Sequence, residues 1–565
     1  MNKKVSIISV AMLLLTLTSV TSCDRGNQDI SINNEKTQLY VGVYEGGLKS
    51  GSLYKIAGEF EKKYENISFE EGKTGVEVVF LEGRYGNKIT DTIADSLEDV
   101  YFDTAASSLY LHSNNQLLDI SELYNTPMNY DFVTKETSSN ESSQTFYDLV
   151  RSDRRDYYKA KDDGKFYGYP GYSQYFGITY DIDMFEEYNL YFSKNGGFVK
   201  SKDEPRSAGP DNDFETTFDN GLPQTYDEFF TLCDKIVSLN MTPIMWGGTV
   251  QEYVNSLLTA LAADFDGKEQ TELNYNYDGV ATSLVKEIDA NGKIILDDEA
   301  TKISAKNGYE LYRQAGRYYA LSFLNRLVSN KDYYNYLDAT SPSFSNIDAQ
   351  DQYLASKRNS RKRTAMLIEG SWWNNEASGT FLSMAAEYGE SDSQLNRRFG
   401  MLPFPKATKE KVGEKFTTIE RATGDGFINA NIPEYKKDLA LSFIQHMFKK
   451  ESYLTCLSLD CQTRAVEYTL TDNEYNSLNS WAKTMYDLKE NAITATMYSN
   501  SDIMKLYSSE LWYSPNLWNS TVNGTTYTYP SSAMINYQIS AKSYFEGLAK
   551  YMNKGVWESK FSSVI

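Results

Sequence analysis

At 565 residues the chain exceeds what one hydrophobic core fills, so two or more domains are expected. A formal charge of −21 excludes a sequence-independent grip on nucleic acid, which needs a basic surface. Only two histidines occur, His112 and His446, far apart, which argues against histidine metal sites and against Ser-His or Cys-His catalysis.

The N-terminus has the pattern of a targeting segment. Lys3 and Lys4 precede an apolar run over 5–17 that is too short to span a bilayer as a conventional helix. Val20-Thr21-Ser22 then leads into Cys23. Small residues ending at a cysteine resemble the lipobox of bacterial lipoproteins. That resemblance implies cleavage before Cys23, lipid on Cys23 and attachment to the outer face of the cytoplasmic membrane. The plainer alternative is an ordinary signal peptide with an incidental cysteine. Residues 1–22 are thus the expected leader, and the polar stretch 23–36 a tether without apolar period.

Beyond the tether, 38–44 reads as a strand, followed by a helix carrying Leu53, Ile56, Ala57 and Phe60 at helical spacing. Strands at 75–80 and 99–103, with a helix marked by Ile89, Ile93 and Leu97 between them, complete a strand–helix–strand–helix–strand order. Such an order makes a parallel sheet with right-handed crossovers, and its ligands sit beyond the carboxyl ends of the strands. Tyr44, Glu45, Arg84 and Asp103 fall at or just after those ends. The loop 46–52 has phosphate-loop glycines but no lysine before Ser52, which discounts nucleotide binding.

The stretch 163–185 holds two aromatic-rich strands separated by Pro170-Gly171, with Asp181 and Asp183 as caps of a following helix. Strand, break, strand suits a segment leaving one lobe and entering another. Thr225-x-x-Glu228 is a capping box, strands are expected at 242–246, 364–369, 398–403 and 424–430, and Trp246, Trp372 and Trp373 again occupy strand ends. Two inserts, 191–221 and 265–359, interrupt this second lobe. Asn274-x-Asn276-x-Asp278-Gly279 starts like a calcium loop but has Val285 at the twelfth position, so a plain Asn/Asp turn is expected and no metal. The basic run 357–363 reads as a solvated face. Cys233 lies on an apolar helix stripe, whereas Cys456 and Cys461 are close enough to pair or to remain two buried thiols.

Five motifs in order resemble the extracellular solute-binding proteins of bacterial carbohydrate ABC importers, the group that includes maltose-binding protein. They are Asp163 to Pro170 with Gly177 to Asp181, Pro223 to Glu228, Ala365 to Trp373, Gly400 to Pro405 and Gly424 to Ala430. The resemblance implies an α/β, two-lobe periplasmic-binding-protein-like fold with crossing hinge segments and a cleft between the lobes. The lobes would comprise 37–168 with 425–470, and 169–424 with 471–565, with crossings near Tyr169, Arg421 and Leu470. It also implies a monomeric, non-enzymatic receptor, without cofactor, that delivers a carbohydrate to a membrane permease. Sugars offer apolar C–H faces and a ring of hydroxyls, so the expected contacts are Tyr44, Glu45, Arg84 and Asp103 from the first lobe. From the second lobe they are Tyr172, Trp246, Trp372, Trp373 and, at the second crossing, Asp425. One of the two adjacent tryptophans is expected in the core, since neighbours point in different directions. Several aromatics suggest an oligosaccharide. A secreted glycoside hydrolase or lyase, which needs two spaced carboxylates, and a surface adhesin are the rival readings.

Overall fold

The structure, a computed structural model, describes residues 32–43, 51–82, 93, 96–103, 115–139, 142–358, 362–497, 499–506 and 517–565. Its two principal sheets are built from β1 (Thr37–Val43), β2 (Val76–Glu82), β3 (Val100–Asp103), β4 (Tyr172–Asp181), β5 (Thr242–Met245), β6 (Thr364–Gly370), β7 (Phe399–Met401), β8 (Thr417–Thr423), β9 (Asp425–Ile428), β10 (Thr463–Arg464) and β11 (Ile493–Thr496).

The first sheet has the order β9-β3-β1-β2, with β1 parallel to both β2 and β3, as the strand–helix alternation predicts. Six of the seven residues of β1 are buried, the continuous pattern of a strand covered on both faces. Helix Gly51–Lys63 buries Leu53, Ile56, Ala57 and Phe60. It packs on helices Glu434–Met447 and Lys450–Leu459, with the Phe60 and Phe443 rings edge-on at 5.2 Å. The expected second helix of this lobe, at Ile89 to Leu97, lies mostly outside the described residues.

The second sheet has the order β11-β8-β4-β6-β5, with β7 and β10 also hydrogen-bonded to β4. All ten residues of β4 are buried, because strands flank it along its whole length. Residues 172–175 pair with β8 and 176–180 with β6, both antiparallel. Asp181 caps helix Ile182–Glu187 by accepting from the Met184 N–H, and its other oxygen takes Arg363 and Arg397, each at 3.0 Å. Asp183 is not a cap but pairs with Arg398 at 2.7 Å.

The chain passes between the sheets at three places. Tyr169 exchanges backbone hydrogen bonds with Gly426 beside the first sheet, and β4 begins at Tyr172. Between β8 and β9 stands Gly424, whose φ of +67° lies in the left-handed region that glycine enters without strain. The third passage reaches the second sheet at Thr463, ahead of the expected Leu470, and 465–467 then hydrogen-bonds back to Leu149 and Arg151. A buried arginine ties these segments. Arg154 contacts Glu420 on β8 at 3.3 Å and Asp425 on β9 at 2.5 Å, and Asp425 also accepts from the Gly171 N–H.

The insert at 191–221 is a loop closed by the bridges Phe192↔Phe198 and Ser193↔Arg206. The larger insert contributes helices Lys268–Asn276, Ala315–Ser329 and Asn346–Ala355. The calcium-like stretch is a turn, with Asn276 accepting from the Asp278 N–H and Tyr277 at φ +53°. Among the described residues, no group of His, Cys, Asp and Glu is placed to hold a metal. Cys456 and Cys461 are separate buried thiols; Cys456 Sγ accepts from Arg464 at 3.1 Å, and Cys461 meets Asn479.

Candidate functional site

The carboxyl ends of β1, β2 and β3 are Val43, Glu82 and Asp103. Tyr44, Glu45 and Arg84 follow them and lie outside the described residues, as does the Asp103 side chain. The Asp103 backbone stands opposite Asp425 in the antiparallel β3–β9 pair. Three residues before Gly424, on β8, is Arg421. At about 3.3 Å of rise per residue it lies within about 13 Å of chain from Asp425, next to where β3 ends.

Around Arg421 the second sheet gathers a set of groups suited to a polyhydroxylated ligand. β6 ends at Gly370, and Ser371-Trp372 turns into the short helix Trp373–Glu376. The Arg421 guanidinium lies over the Trp372 ring at 5.3 Å, and Phe176 and Tyr253 meet that ring edge-on at 5.0 and 5.7 Å. Gln350 Nε2 donates to both Glu376 (2.7 Å) and Glu369 (3.3 Å), and Asn346 Nδ2 donates to Glu376 at 3.4 Å. Three aromatic rings, a guanidinium, two carboxyls and two amides thus share one end of β6. This is the combination of flat apolar faces and bidentate polar partners that sugars require.

The electrostatics of the cluster follow from its burial. Burial pushes the Glu369 carboxyl well above its ordinary range, and the Glu376 charge pushes it further. Burial also raises Glu376, although hydrogen bonds from Gln350 and Asn346 and the Arg421 charge oppose it. Tyr253 is raised for the same reason and by both carboxylates. A carboxyl whose native pKa is raised keeps a proton that the unfolded chain releases above about pH 4.3. Stability therefore falls as pH rises through the window above that value. Glu369→Gln should remove this slope, so the variant gains stability relative to the parent between pH 5 and pH 8 in urea titrations. An offset between the two proteins that stays constant across that range would contradict a protonated Glu369.

Several expected contacts lie elsewhere. Trp246 is fully buried: its indole N–H donates to the Ala339 carbonyl at 2.9 Å, and Tyr334 stacks on its ring at 5.2 Å and 7°. The larger insert covers this strand end, so Trp246 is core and presents no face to a cleft. Trp373 is also core, packed among Tyr353, Phe381, Phe399 and Trp481. Tyr172 is buried beside Arg464 and Cys456, and Asp425 is consumed by Arg154 and Gly171; both are hinge interior. Trp372 joins the cluster but is only 1% exposed, its ring faces taken by Arg421 and its aromatic neighbours. Tyr253, Gln350, Asn346 and Glu376 join this cluster without having been singled out from the sequence. Glu376 had a signal, lying one helical turn beyond Trp372–Trp373, whereas the two amides reach the site from an insert with no motif.

A cavity of about 530 Å³ opens at the far end of β4, lined by Tyr180, Arg398, Asn479 and Lys483 among others. Arg398 is engaged there by Asp183 and Glu186, and Asn479 caps helix Ser480–Asn491.

No protein-family model matches the chain, and no curated protein matches it in sequence. Solved structures do match in shape. The apo form of RafE from Streptococcus pneumoniae is 13% identical, with 93% of this chain and 99% of that one covered and a TM-score of 0.52. A chitin oligosaccharide binding protein is 14% identical, covering 92% and 99%, with a TM-score of 0.54. An ABC substrate-binding protein from Listeria monocytogenes in complex with cycloalternan is 12% identical, covering 92% and 99%, with a TM-score of 0.50. These likenesses show the fold: the chain has the two-lobe architecture of the solute-binding proteins.

Proposed function

We propose that this protein is a receptor that binds a carbohydrate between its two lobes and passes it to the permease of an ABC importer. The observation that carries the reading is the Trp372–Tyr253–Arg421–Glu376 cluster, set at the end of β6, with Arg421 three residues before the Gly424 crossing. Its similarity in fold to proteins solved with raffinose and with cycloalternan supports the same reading. Tyr44, Glu45, Arg84 and Asp103, which follow or end the first-lobe strands, would supply the opposing wall.

The mechanism is hinge closure. A sugar that bridges both lobes favours the closed state by its differential affinity for it, and the permease recognises that state. No covalent step is needed, and the protein acts as a monomer without cofactor. Lipid on Cys23 would hold it at the outer face of the cytoplasmic membrane. Among the described residues no helix is long and apolar enough to cross a membrane.

A thermal-shift panel of raffinose, chitotriose, xylotriose and maltotriose tests the reading, since a ligand bound only by the folded state raises its melting temperature with concentration. At least one of these sugars is expected to do so, and none is expected to be cleaved on prolonged incubation. Silence across the panel, or hydrolysis abolished by Glu376→Gln, would replace the receptor with the adhesin or the hydrolase.

A further inference from the structure

We infer that the cavity at the far end of β4 is a second binding site, independent of the proposed sugar site, for a small zwitterion with an apolar side chain, the chemistry of a free α-amino acid. Its volume of about 530 Å³ falls within the range of about 300–1,000 Å³ that small-molecule sites occupy. It stands at the opposite end of β4 from the hinge, where Phe399 to Met401 of β7 pair with Thr179 to Asp181. Helix Ser480–Asn491 lies across β7, and its Ser480 and Thr484 hydroxyls both donate to the Phe399 carbonyl, at 3.2 and 3.3 Å. Helical spacing then decides what the cavity meets. Trp481, Ala482, Met485 and Leu488 are buried on one side of the helix. Ser480, Lys483, Thr484 and Asp487, at i, i+3, i+4 and i+7, line the cavity on the other.

Two of the charges lining this cavity have no counter-ion. Arg398 is engaged by Asp183 and Glu186, at 2.7 and 2.6 Å, and Asn479 by the Ala482 N–H and Cys461. Lys483 and Asp487 differ: among the described residues neither forms an ion pair. The Lys483 ammonium donates to the Asn476 carbonyl at 3.4 Å and lies over the Tyr475 ring, and Asp487 accepts from the Tyr475 hydroxyl at 2.8 Å. Burial and the Glu490 charge lift the Asp487 carboxyl to about 6, against the Tyr475 hydroxyl and the Lys483 charge. A carboxylate taken partly out of water without a cation in contact is destabilised, and a ligand's ammonium would offset that. Residues four apart on a helix have Cβ atoms about 5–6 Å apart, so one small molecule can reach both. An ammonium would meet Asp487 and a carboxylate Lys483, with Ile182, Phe218, Met401 and Leu478 as the apolar wall for a side chain. A neutral sugar would leave both charges unanswered, and a simple anion or cation would answer one.

Calorimetry on the mature protein tests the site with L-leucine, L-methionine and L-phenylalanine and with two blocked forms of each. These are the N-acetyl derivative, which has no ammonium, and the carboxamide, which has no carboxylate. At least one of the three amino acids is expected to bind, and each of its blocked forms to bind about tenfold or more weakly. Asp487→Asn is expected to remove the penalty for N-acetylation and Lys483→Gln that for amidation, which a merely structural role would leave in place. Both variants are expected to respond to the sugar panel as the parent does. No heat from any of the three amino acids at millimolar concentration overturns the site, and so does binding that a bound sugar displaces. Blocked forms that bind as well as the free amino acid reduce the cavity to an apolar crevice and overturn the zwitterion. Penalties retained in the two variants overturn the roles of Lys483 and Asp487.

Discussion

Replacing Arg154 with alanine is expected to destabilise the protein by about 3–5 kcal/mol at neutral pH, the usual cost of removing one partner from a buried charge group. The guanidinium is fully buried and is shared between Glu420 and Asp425, themselves 0% and 1% exposed. The two carboxylates lie on either side of Gly424, so one side chain straps the middle of β8 to the start of β9 across the crossing. Burial already lifts Asp425 to about 6 despite the adjacent arginine. Without that arginine only the Gly171 N–H and the Arg151 charge oppose the lift, and Asp425 takes up a proton more readily. A native pKa above the unfolded value means that stability declines as pH rises, so the loss in Arg154→Ala should be larger at pH 8 than at pH 5. Urea titration at both values checks the size and the sign. Adding Asp425→Asn and Glu420→Gln to Arg154→Met is expected to recover part of the loss, because no buried charge then remains unpaired. A loss under about 1 kcal/mol, or one independent of pH, would remove Arg154 from the hinge account.

Trp246→Ala is expected to cost about 3–5 kcal/mol of stability, the range for truncating a buried aromatic, and yet to leave sugar affinity within about threefold of the parent. Deleting the indole empties the space against Tyr334, but the Ala339 carbonyl keeps a donor in Gln251 at 2.9 Å. The cost is therefore one of packing. Trp372→Ala should also destabilise, since that ring is as deeply covered, but it should in addition abolish the response to sugar. Denaturation and calorimetry on the two variants separate the roles. Loss of sugar binding in a folded Trp246→Ala protein would return Trp246 to the site.

How much was legible beforehand depended on the range of the interaction. The strand at Thr37–Val43, the helix face of Leu53, Ile56, Ala57 and Phe60, and the Thr225 cap all follow from contacts within one element, which sequence spacing encodes directly. Pro170-Gly171 was readable as a break for the same reason, whereas Gly424 was expected to open a strand and instead stands between β8 and β9. Thr463–Arg464 was not legible, because it has no period of its own and is a strand only through its pairing with Ser173 and Tyr172. At the site, Trp372 was legible as an aromatic following a buried strand. Trp246 carried the same local signal and has the opposite fate.

What the sequence by itself determined is the alternation of strands and helices, the breaks between lobes and the aromatic residues at strand ends, because each is set by neighbours a few positions away. The tertiary structure alone decided which strand-end aromatic is packed under the larger insert and which lies beside Arg421. An insert about ninety residues downstream of Trp246 lays its backbone over that ring and sends Gln350 to Glu376 instead. Covering one indole and reaching the carboxyls beside another are contacts across long sequence separation, and no local periodicity records them.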